Sequence, residues 1–243
     1  DQPRSRGLGD VYKRQELLYE TIDDGKIAII TMNRPERMNA SDPGMAQRWV
    51  DAWTTFADDD DCWVAIVTGA GERAFSAGQD LKIRADLEEQ GGNAPYTRRA
   101  RSVVPIGEKL GCWKPTIAAI NGYAIAGGWS VAQYCTFRIA AEHAEMNIAE
   151  ARWNQAAGFV ATLSRLVGMG TALEFCIMGD RRFTAQRAYE VGLVNKVVPK
   201  EQIMDEAIEW ARTVLRMAPR VVQNFNQLVH RGYSCLLYTS AAA

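Results

Sequence analysis

The chain has 243 residues, 47% of them hydrophobic, which is enough for one well-buried core. Its formal net charge of −1 gives no electrostatic basis for nucleic acid or an anionic membrane as the main partner. No apolar run reaches the roughly 18 residues that a membrane-spanning helix needs. Five scattered cysteines without CxxC spacing, and only two histidines, argue against a metal centre and predict reduced thiols in a cytoplasmic protein.

The two ends of the chain differ from the rest. Residues 1–15 and 234–243 resemble translated read-through of foreign sequence, and the basic N-terminal end lacks the apolar stretch of a targeting peptide. We therefore predict a single domain over residues 16–233, with a core of about 16–157 and a helical segment of about 158–233. No repeat or linker-like stretch divides it.

Short apolar runs and helical periodicities alternate along the first half of the chain. LLYETI and KIAIITM flank a DDG turn at residues 23–25, which predicts two strands joined by a tight turn. A helix capped by Ser41 is expected to follow through MAQRWVDAWTTFAD. The buried strands WVAIVTG and TIAAING come next, with a helix from about Tyr96 to Gly111 between them.

The second half continues this alternation and then becomes helical. AIAGGWSVAQYC is predicted as a helix opened by glycines, FRIAA as a strand, and everything from Gly158 onward as helical. Strands separated by helices require crossover connections and therefore a mostly parallel sheet. The expected fold class is α/β, with one α/β unit followed by a helical segment.

Two loops that follow the buried strands carry unusually small residues. WVAIVTG leads to AFSAGQDLK (74–82), and TIAAING leads to YAIAGGWS (123–130). Ligands bind beyond the carboxyl ends of parallel strands, and a helix N-terminus adds free N–H groups there. Backbone donors from both loops can converge on one oxygen atom as an oxyanion hole, although glycine-rich loops after strands are also common without one.

Five segments of the chain, taken together and in this order, carry a family resemblance. They are NRPERMNA (33–40), AFSAGQDLK (74–82), KPTIAAINGYAIAGG (114–128), AEMNIAEARW (144–153) and MGDRRFTAQRAYEVGLVNKVV (178–198). Over about residues 17–230 the chain thus resembles the enoyl-CoA hydratase/isomerase (crotonase) family. The resemblance implies a stacked ββα spiral with a C-terminal helical segment, a homotrimer or hexamer, and an acyl-CoA thioester substrate. It implies no cofactor besides the CoA of that substrate.

The resemblance also gives the two small-residue loops their roles. The backbone N–H groups of Gln79 and Gly127 correspond to the two oxyanion donors of the family, and bulk at Gly78 would block the thioester. The implied substrate- and CoA-binding positions are Arg37, Ala77, Gly78, Asp80, Leu81 and Lys82. Without the resemblance, the arginine and the lysine in this set are ordinary surface charges.

The catalytic carboxylates of the family are only partly present. Glu150 corresponds to one of the two glutamates with which typical hydratases hold a water molecule. Where the other is expected, three residues after Gly127, the chain has Ser130, which lies on the same helix face. A serine without a base beside it does not take up a proton near neutral pH. The alternatives are a surface carboxylate at Glu150 and a helix-packing serine at Ser130.

Other features of the sequence bear on pocket shape. Trp129 and Trp153 flank the two catalytic candidates and are candidate walls for an aromatic or flat acyl chain. Ala126 replaces a frequent glycine, and the loop after Glu150 is shorter than usual in the family.

We expect an enzyme of the hydro-lyase type, either an enoyl-CoA hydratase or a hydratase-lyase. The Ser/Glu pairing also resembles the hydroxycinnamoyl-CoA hydratase-lyases. The alternative is an isomerase in which Glu150 alone moves a proton between C2 and C4. A weakly catalytic family member that binds RNA or serves as a scaffold is a further alternative, against which the balanced charge and the retained glutamate argue.

Overall fold

The computed structural model describes residues 16–42, 44–89, 111–155 and 157–240. The strands are β1 (Leu17–Ile22), β2 (Ile27–Met32), β3 (Val64–Gly69), β4 (Ala74–Ser76), β5 (Thr116–Ile120), β6 (Tyr123–Ile125), β7 (Phe137–Ala141), β8 (Glu145–Asn147), β9 (Phe183–Thr184) and β10 (Lys196–Val198). The α-helices are α1 (Met45–Asp58), α2 (Leu81–Glu89), α3 (Gly127–Gln133), α4 (Met169–Ile177), α5 (Ala185–Glu190), α6 (Ile203–Leu215) and α7 (Pro219–Ser240). Short 3₁₀ helices lie at Pro35–Arg37, Glu150–Trp153, Gly158–Arg165 and Lys200–Gln202.

Two sheets form the core. The larger has the order β1-β2-β3-β5-β7-β10, and all its pairs are parallel except that of β1 with β2. The smaller has the order β4-β6-β8-β9, in which only β9 runs antiparallel to its neighbour. The predicted α/β class with a mostly parallel sheet is confirmed.

The chain moves from the larger sheet to the smaller one immediately after β3 and again after β5. Gly122 occupies the second of these turns, where a Cβ atom would lie 2.4 Å from the Arg73 carbonyl oxygen, so only glycine fits. The small-residue loops therefore follow the short strands β4 and β6, which corrects the prediction that they follow β3 and β5 directly. Strands of three residues are too short to show a hydrophobic period.

Helices cover both faces of the larger sheet. On one face α1 buries Trp49, Trp53 and Phe56, with the two indole rings stacked at a centroid distance of 5.5 Å. On the other face α6 buries its apolar side against the sheet isoleucines. Each large side chain removed from water contributes roughly 1.5–3 kcal/mol, so this packing fixes the frame from which the site loops project.

The start of α1 differs from the prediction that Ser41 caps it. The helix begins at Met45, whose N–H donates to Asp42 Oδ1 at 2.7 Å. Ser41 instead pairs with Gln79 in an isolated parallel bridge, which keeps it extended. The cap prediction was wrong because a long-range backbone pairing competes for the same residue.

The C-terminal part is not purely helical as predicted. β9 pairs with β8 and β10 pairs with β7, so this part completes both sheets. Of the predicted helix from Tyr96 to Gly111, only Gly111 belongs to the described residues. Within the ranges given above, the helices include none that combines the length and the apolar character needed to cross a lipid bilayer.

Candidate active site

The candidate residues follow three neighbouring parallel strands of the smaller sheet. Gln79 comes after β4, Gly127 begins α3 directly after β6, and Glu150 begins a 3₁₀ helix after β8. Carboxyl ends of parallel strands meet at one edge of a sheet, which is where such sheets bind ligands. The fold thus brings the two predicted oxyanion loops and the predicted carboxylate to one edge.

Gly78 and Gly127 bring the backbones of the first two loops into contact. A Cβ atom on Gly78 would lie 2.9 Å from the Gly127 nitrogen, and one on Gly127 would lie 3.9 Å from the Gln79 nitrogen. Gly78 also has φ +84°, in the left-handed region that glycine adopts without strain. Any side chain at this position would therefore cover the Gly127 N–H.

Ser41 fixes the direction in which the Gln79 N–H points. The Ser41 N–H donates to the Gly78 carbonyl at 2.7 Å, and the Asp80 N–H donates to the Ser41 carbonyl at 2.9 Å. Because N–H groups alternate in direction along an extended segment, the Gln79 N–H points away from Ser41. Within the described part of the chain, neither this N–H nor that of Gly127 donates to a protein acceptor. Two backbone donors without an acceptor in the described ranges thus lie side by side.

Glu150 combines burial with an unpaired oxygen. Its side chain is half-buried, and its Oε2 atom is buried without a hydrogen-bond partner among the described residues. Burial raises the pKa of Glu150 above its usual value, and the backbone N–H groups of Glu150 and Ala149 oppose this shift. A carboxylate oxygen that is buried without a partner is costly for folding, which marks Glu150 as a candidate general acid or base.

Ser130 lies one turn into α3, half-buried, with its hydroxyl engaged by its own helix. Ser130 Oγ donates to the Gly127 carbonyl at 2.7 Å. A hydroxyl has one proton and two lone pairs, so Ser130 can still accept a hydrogen bond from water. The contact fits both the catalytic and the packing interpretation of this residue.

The two tryptophans occupy different environments. Trp129 is fully buried, donates from Nε1 to Gln133 Oε1 at 2.8 Å, and contacts Phe175 edge to face. It has no surface on which a ligand could lie, which corrects its assignment to an acyl pocket. Trp153 is 57% exposed and lies three residues after Glu150 in a 3₁₀ helix, where side chains at that spacing eclipse. It therefore remains the candidate pocket wall.

The predicted CoA-binding positions divide by exposure. Arg37, Leu81 and Lys82 are exposed, the latter two in the first turn of α2. Asp80 is buried, and its carboxylate accepts hydrogen bonds from Arg34 at 3.2 Å and from the Ile83 N–H at 3.4 Å. Its side chain is thus turned into the protein, and its N–H is taken by the Ser41 carbonyl.

Sequence reasoning chose Arg37 in the NRPERMNA segment and missed Arg34. The Arg34 guanidinium is buried, while Arg37 points into solvent from the Pro35–Arg37 turn. A signal was present, because Arg34 follows the buried strand β2 almost directly. Ala77, at the other end of the site loop, is half-buried, and its N–H donates to the Met38 carbonyl at 2.9 Å. This hydrogen bond and that of Arg34 with Asp80 both join the segment after β2 to the loop after β4.

Ala126 holds a strained backbone next to the oxyanion loops. Its φ of 54° and ψ of −126° lie in a region that residues with a Cβ atom rarely occupy. Its N–H donates to the Asn147 carbonyl at 2.9 Å, which joins the start of α3 to the end of β8. The alanine that stands here in place of the family's frequent glycine therefore strains the backbone.

Ala126→Gly is expected to stabilise the protein by about 1 kcal/mol, since relief of backbone strain exceeds the entropy that glycine loses on folding. Urea unfolding would show a higher midpoint at an unchanged m-value. The matched control is Ala124→Gly in the neighbouring strand β6, which is fully buried and outside the left-handed region. That control should lower the midpoint, and a lower midpoint for Ala126→Gly as well would show that the backbone there is relaxed.

Comparisons with known proteins complete the description of the site. A sequence model described as enoyl-CoA hydratase/isomerase matches residues 23–243. The short-chain-enoyl-CoA hydratase of Clostridium acetobutylicum is 34% identical over 226 residues, 90% of this chain and 83% of that protein. The (E)-benzylidenesuccinyl-CoA hydratase of Thauera aromatica is 34% identical over 203 residues, 83% of this chain and 77% of that protein. A crystal structure of an enoyl-CoA hydratase from Bacillus anthracis aligns with a TM-score of 0.81 and 31% identity, covering 94% of this chain and 87% of that one.

Proposed function

The chain belongs to the enoyl-CoA hydratase/isomerase (crotonase) family, and we propose that it adds water to an enoyl-CoA thioester at the site of Gln79, Gly127 and Glu150. The similarity gives it the activity of an acyl-CoA hydratase, a hydro-lyase. The assignment of the residues is our own. It is carried by one observation among the described residues, namely that two N–H groups without a protein acceptor and a glutamate with one buried, unpaired oxygen follow adjacent strands of one sheet.

The N–H groups of Gln79 and Gly127 bind the thioester carbonyl oxygen in this proposal. Negative charge develops on that oxygen when a nucleophile attacks C3 of the conjugated double bond. Donors already aimed at the oxygen stabilise the charge without reorganising, and removing one typically costs about 2.7–4 kcal/mol of barrier lowering. Both donors belong to the rigid backbone of loops held by Ser41 and by α3, which suits this role.

Glu150 moves the proton. It takes one proton from water as the water oxygen bonds to C3 and the double-bond electrons shift toward the carbonyl oxygen. The enolate then collapses, C2 takes the proton from the Glu150 carboxyl, and one water has been added across the double bond. Burial raises the pKa of Glu150, which brings it closer to the pH at which a group can both accept and return a proton.

Ser130 orients the water in this scheme. Its hydroxyl proton is used by the Gly127 carbonyl, so its oxygen accepts the second O–H of the water. The exposed residues Arg37 and Lys82 are assigned to the phosphates of CoA, and Leu81 to its pantetheine arm. No cofactor is assigned besides the CoA of the substrate.

Ser130→Ala is expected to lower water addition about twofold to tenfold, the effect of one lost neutral hydrogen bond of roughly 0.5–1.5 kcal/mol. Deuterium uptake at C2 of a saturated acyl-CoA in heavy water should be unchanged, because Glu150 alone exchanges that proton. Absorbance of crotonyl-CoA measures the first activity and mass spectrometry the second. Ser164→Ala, an exposed serine of another helix, is the control.

A single-glutamate isomerase is the second candidate, because the Ser130 hydroxyl is already bonded within α3 and only one carboxylate is assigned to the site. Unchanged water addition in Ser130→Ala, together with conversion of a 3-enoyl-CoA to its 2-enoyl isomer by the wild type, would favour it. Feruloyl-CoA in the same assay separates a hydratase-lyase from a simple hydratase, since only the lyase releases an aromatic aldehyde.

Self-association is also proposed, as a homotrimer or a hexamer. Along α7 the side chains of Val221, Phe225, Leu228 and Val229 are 46%, 64%, 65% and 63% exposed at helical spacing, a stripe that a second copy would cover. Sedimentation velocity measures this directly.

A reducing compartment, the cytoplasm, is proposed because Cys62, Cys112, Cys135 and Cys176 carry free thiols.

A further inference from the structure

We infer that Arg34 is a positioning residue, which sets the direction of the Gln79 N–H by clamping together the two segments beside it. The inference rests on the proposed function, because that function gives this N–H its role. Arg34 itself contacts neither substrate nor reacting atoms in the proposed scheme.

The Arg34 guanidinium is buried, and each of its two terminal nitrogens has its own acceptor. It is only 9% exposed, and it donates from Nη1 to the Ala40 carbonyl at 2.5 Å and from Nη2 to Asp80 Oδ2 at 3.2 Å. Glu16 supplies a second carboxylate, 3.6 Å from Nε. A buried cation needs such partners, and these contacts leave its terminal nitrogens directed at protein and not at a phosphate.

The two acceptors lie on either side of the pairing that orients Gln79. Ala40 directly precedes Ser41, and Asp80 directly follows Gln79. Ser41 in turn bonds to Gly78 and to Asp80 through its backbone. Arg34 therefore binds one residue on each side of this short bridge, Ala40 next to Ser41 and Asp80 next to Gln79.

The base of the clamp is fixed by its own turn. The Arg34 N–H donates to Asn39 Oδ1 at 3.0 Å, and the Arg34 carbonyl accepts from the N–H groups of Arg37 and Asn39, both at 2.9 Å. Asn39 Nδ2 then donates to the carbonyls of Ala70 and Ala74, which anchors the turn to the chain just before and at the start of β4. The guanidinium thus projects from a rigid support.

Arginine suits this position better than lysine. The two acceptors lie in different directions, and a planar guanidinium reaches both at once, whereas one ammonium on a flexible stem does not hold both in fixed geometry. Removing the guanidinium also leaves the Asp80 carboxylate buried without its charged partner. Asp80 is then expected to shift toward solvent, and Gln79 next to it shifts as well.

The test compares Arg34→Lys and Arg34→Met with the wild type. A displacement of about 1 Å at a catalytic donor costs up to about 10²-fold in rate, so we expect kcat to fall about 10- to 100-fold in Arg34→Met while KM changes less than about threefold. Arg34→Lys should fall between Arg34→Met and the wild type. Amide hydrogen exchange in residues 77–82 and at Ser41 should become at least about tenfold faster, because the bridge opens more often.

Arg212→Met is the matched control. It removes a surface arginine that also binds a carboxylate, donating from Nε at 2.7 Å and from Nη2 at 2.9 Å to Asp23. Its kcat and its exchange in residues 77–82 should stay at wild-type values. If Arg34→Met does not fold, Arg34→Lys and Asp80→Asn carry the test, each assayed per folded molecule well below its melting temperature.

Wild-type kcat and wild-type exchange in folded Arg34→Lys and Asp80→Asn would overturn the inference, as would a loss confined to KM. Failure of the proposed function is recognised separately, by a wild-type protein that neither hydrates nor exchanges any acyl-CoA offered. Even then, amide exchange in residues 77–82 reports whether Arg34 holds the loop, since that measurement needs no substrate.

Discussion

Glu150→Gln is expected to lower water addition to crotonyl-CoA by about 10²–10⁴-fold, the range of general-base contributions. The amide keeps the shape of the side chain but neither takes a proton from water nor returns one to C2. Deuterium uptake at C2 of a saturated acyl-CoA should fall with it, because the same group performs both transfers. Glu20→Gln on the exposed side of β1 is the control, with activity expected within about twofold of wild type.

The same substitution should stabilise the fold at neutral pH. Burial raises the pKa of Glu150, so the folded protein binds this proton more tightly than the unfolded chain does. Stability therefore falls as the pH rises from the usual value of 4.5 through the raised one, and the full penalty of the charge is present above that window. Glutamine carries no charge, so the variant gains most above the window.

Urea unfolding at a series of pH values measures this gain. The midpoint of Glu150→Gln should exceed that of the wild type at pH 8, and the difference should shrink on acidification and disappear below the usual pKa. Lower stability of the variant at pH 8 would mean that the backbone N–H groups of Glu150 and Ala149 stabilise the carboxylate by more than its burial costs, against the raised pKa. Loss of activity with a gain in stability is the signature of a group retained for function.

The two loops of small residues and the α/β fold class were the easiest features to predict. Gly78, Gln79 and Gly127 lie in strings of small residues, and the contact between the two loops explains why those strings are bare. The α/β class followed from the alternation of apolar runs and helical periods. Strings of small residues and apolar periods are local patterns, so the sequence expresses them directly, whereas the roles of Gln79 and Gly127 came from the family resemblance.

Features that depend on direction or on distant partners were not predictable in the same way. An α-helix turns about 100° per residue, so Trp129 points away from the face shared by Gly127 and Ser130, and it enters the core instead of the site. The burial of Arg34 depends on Asp80, a residue far along the chain. The predicted helix cap at Ser41 failed for the same reason, because Ser41 pairs with Gln79, a residue brought close only by folding.

Gly127→Pro is expected to reduce kcat by about 10²–10³-fold, the cost of one oxyanion donor. Gly127 is the first residue of α3, where the missing N–H of proline costs no helix hydrogen bond, but Ala126 before it, at φ 54° and ψ −126°, lies outside the extended region that proline favours in its predecessor. Among the described residues the Gly127 N–H donates to no protein group, so the substitution removes a donor without breaking a structural hydrogen bond. Water addition and deuterium uptake at C2 should fall together, because both pass through the same enolate. That pattern differs from Ser130→Ala, which is expected to affect water addition alone.

The control for this variant places proline at the same position of a different helix. Met169→Pro changes the exposed first residue of α4, and Gly168 before it has φ −59° and ψ 153°, a conformation that proline favours in its predecessor. Activity of this control is expected within about twofold of wild type, as for other surface changes. Circular dichroism and melting temperature establish that both variants fold, and any added strain at Ala126 appears there as lost stability. A folded Gly127→Pro protein with wild-type kcat would place the thioester oxygen away from α3 and leave the two adjacent N–H groups without a catalytic role.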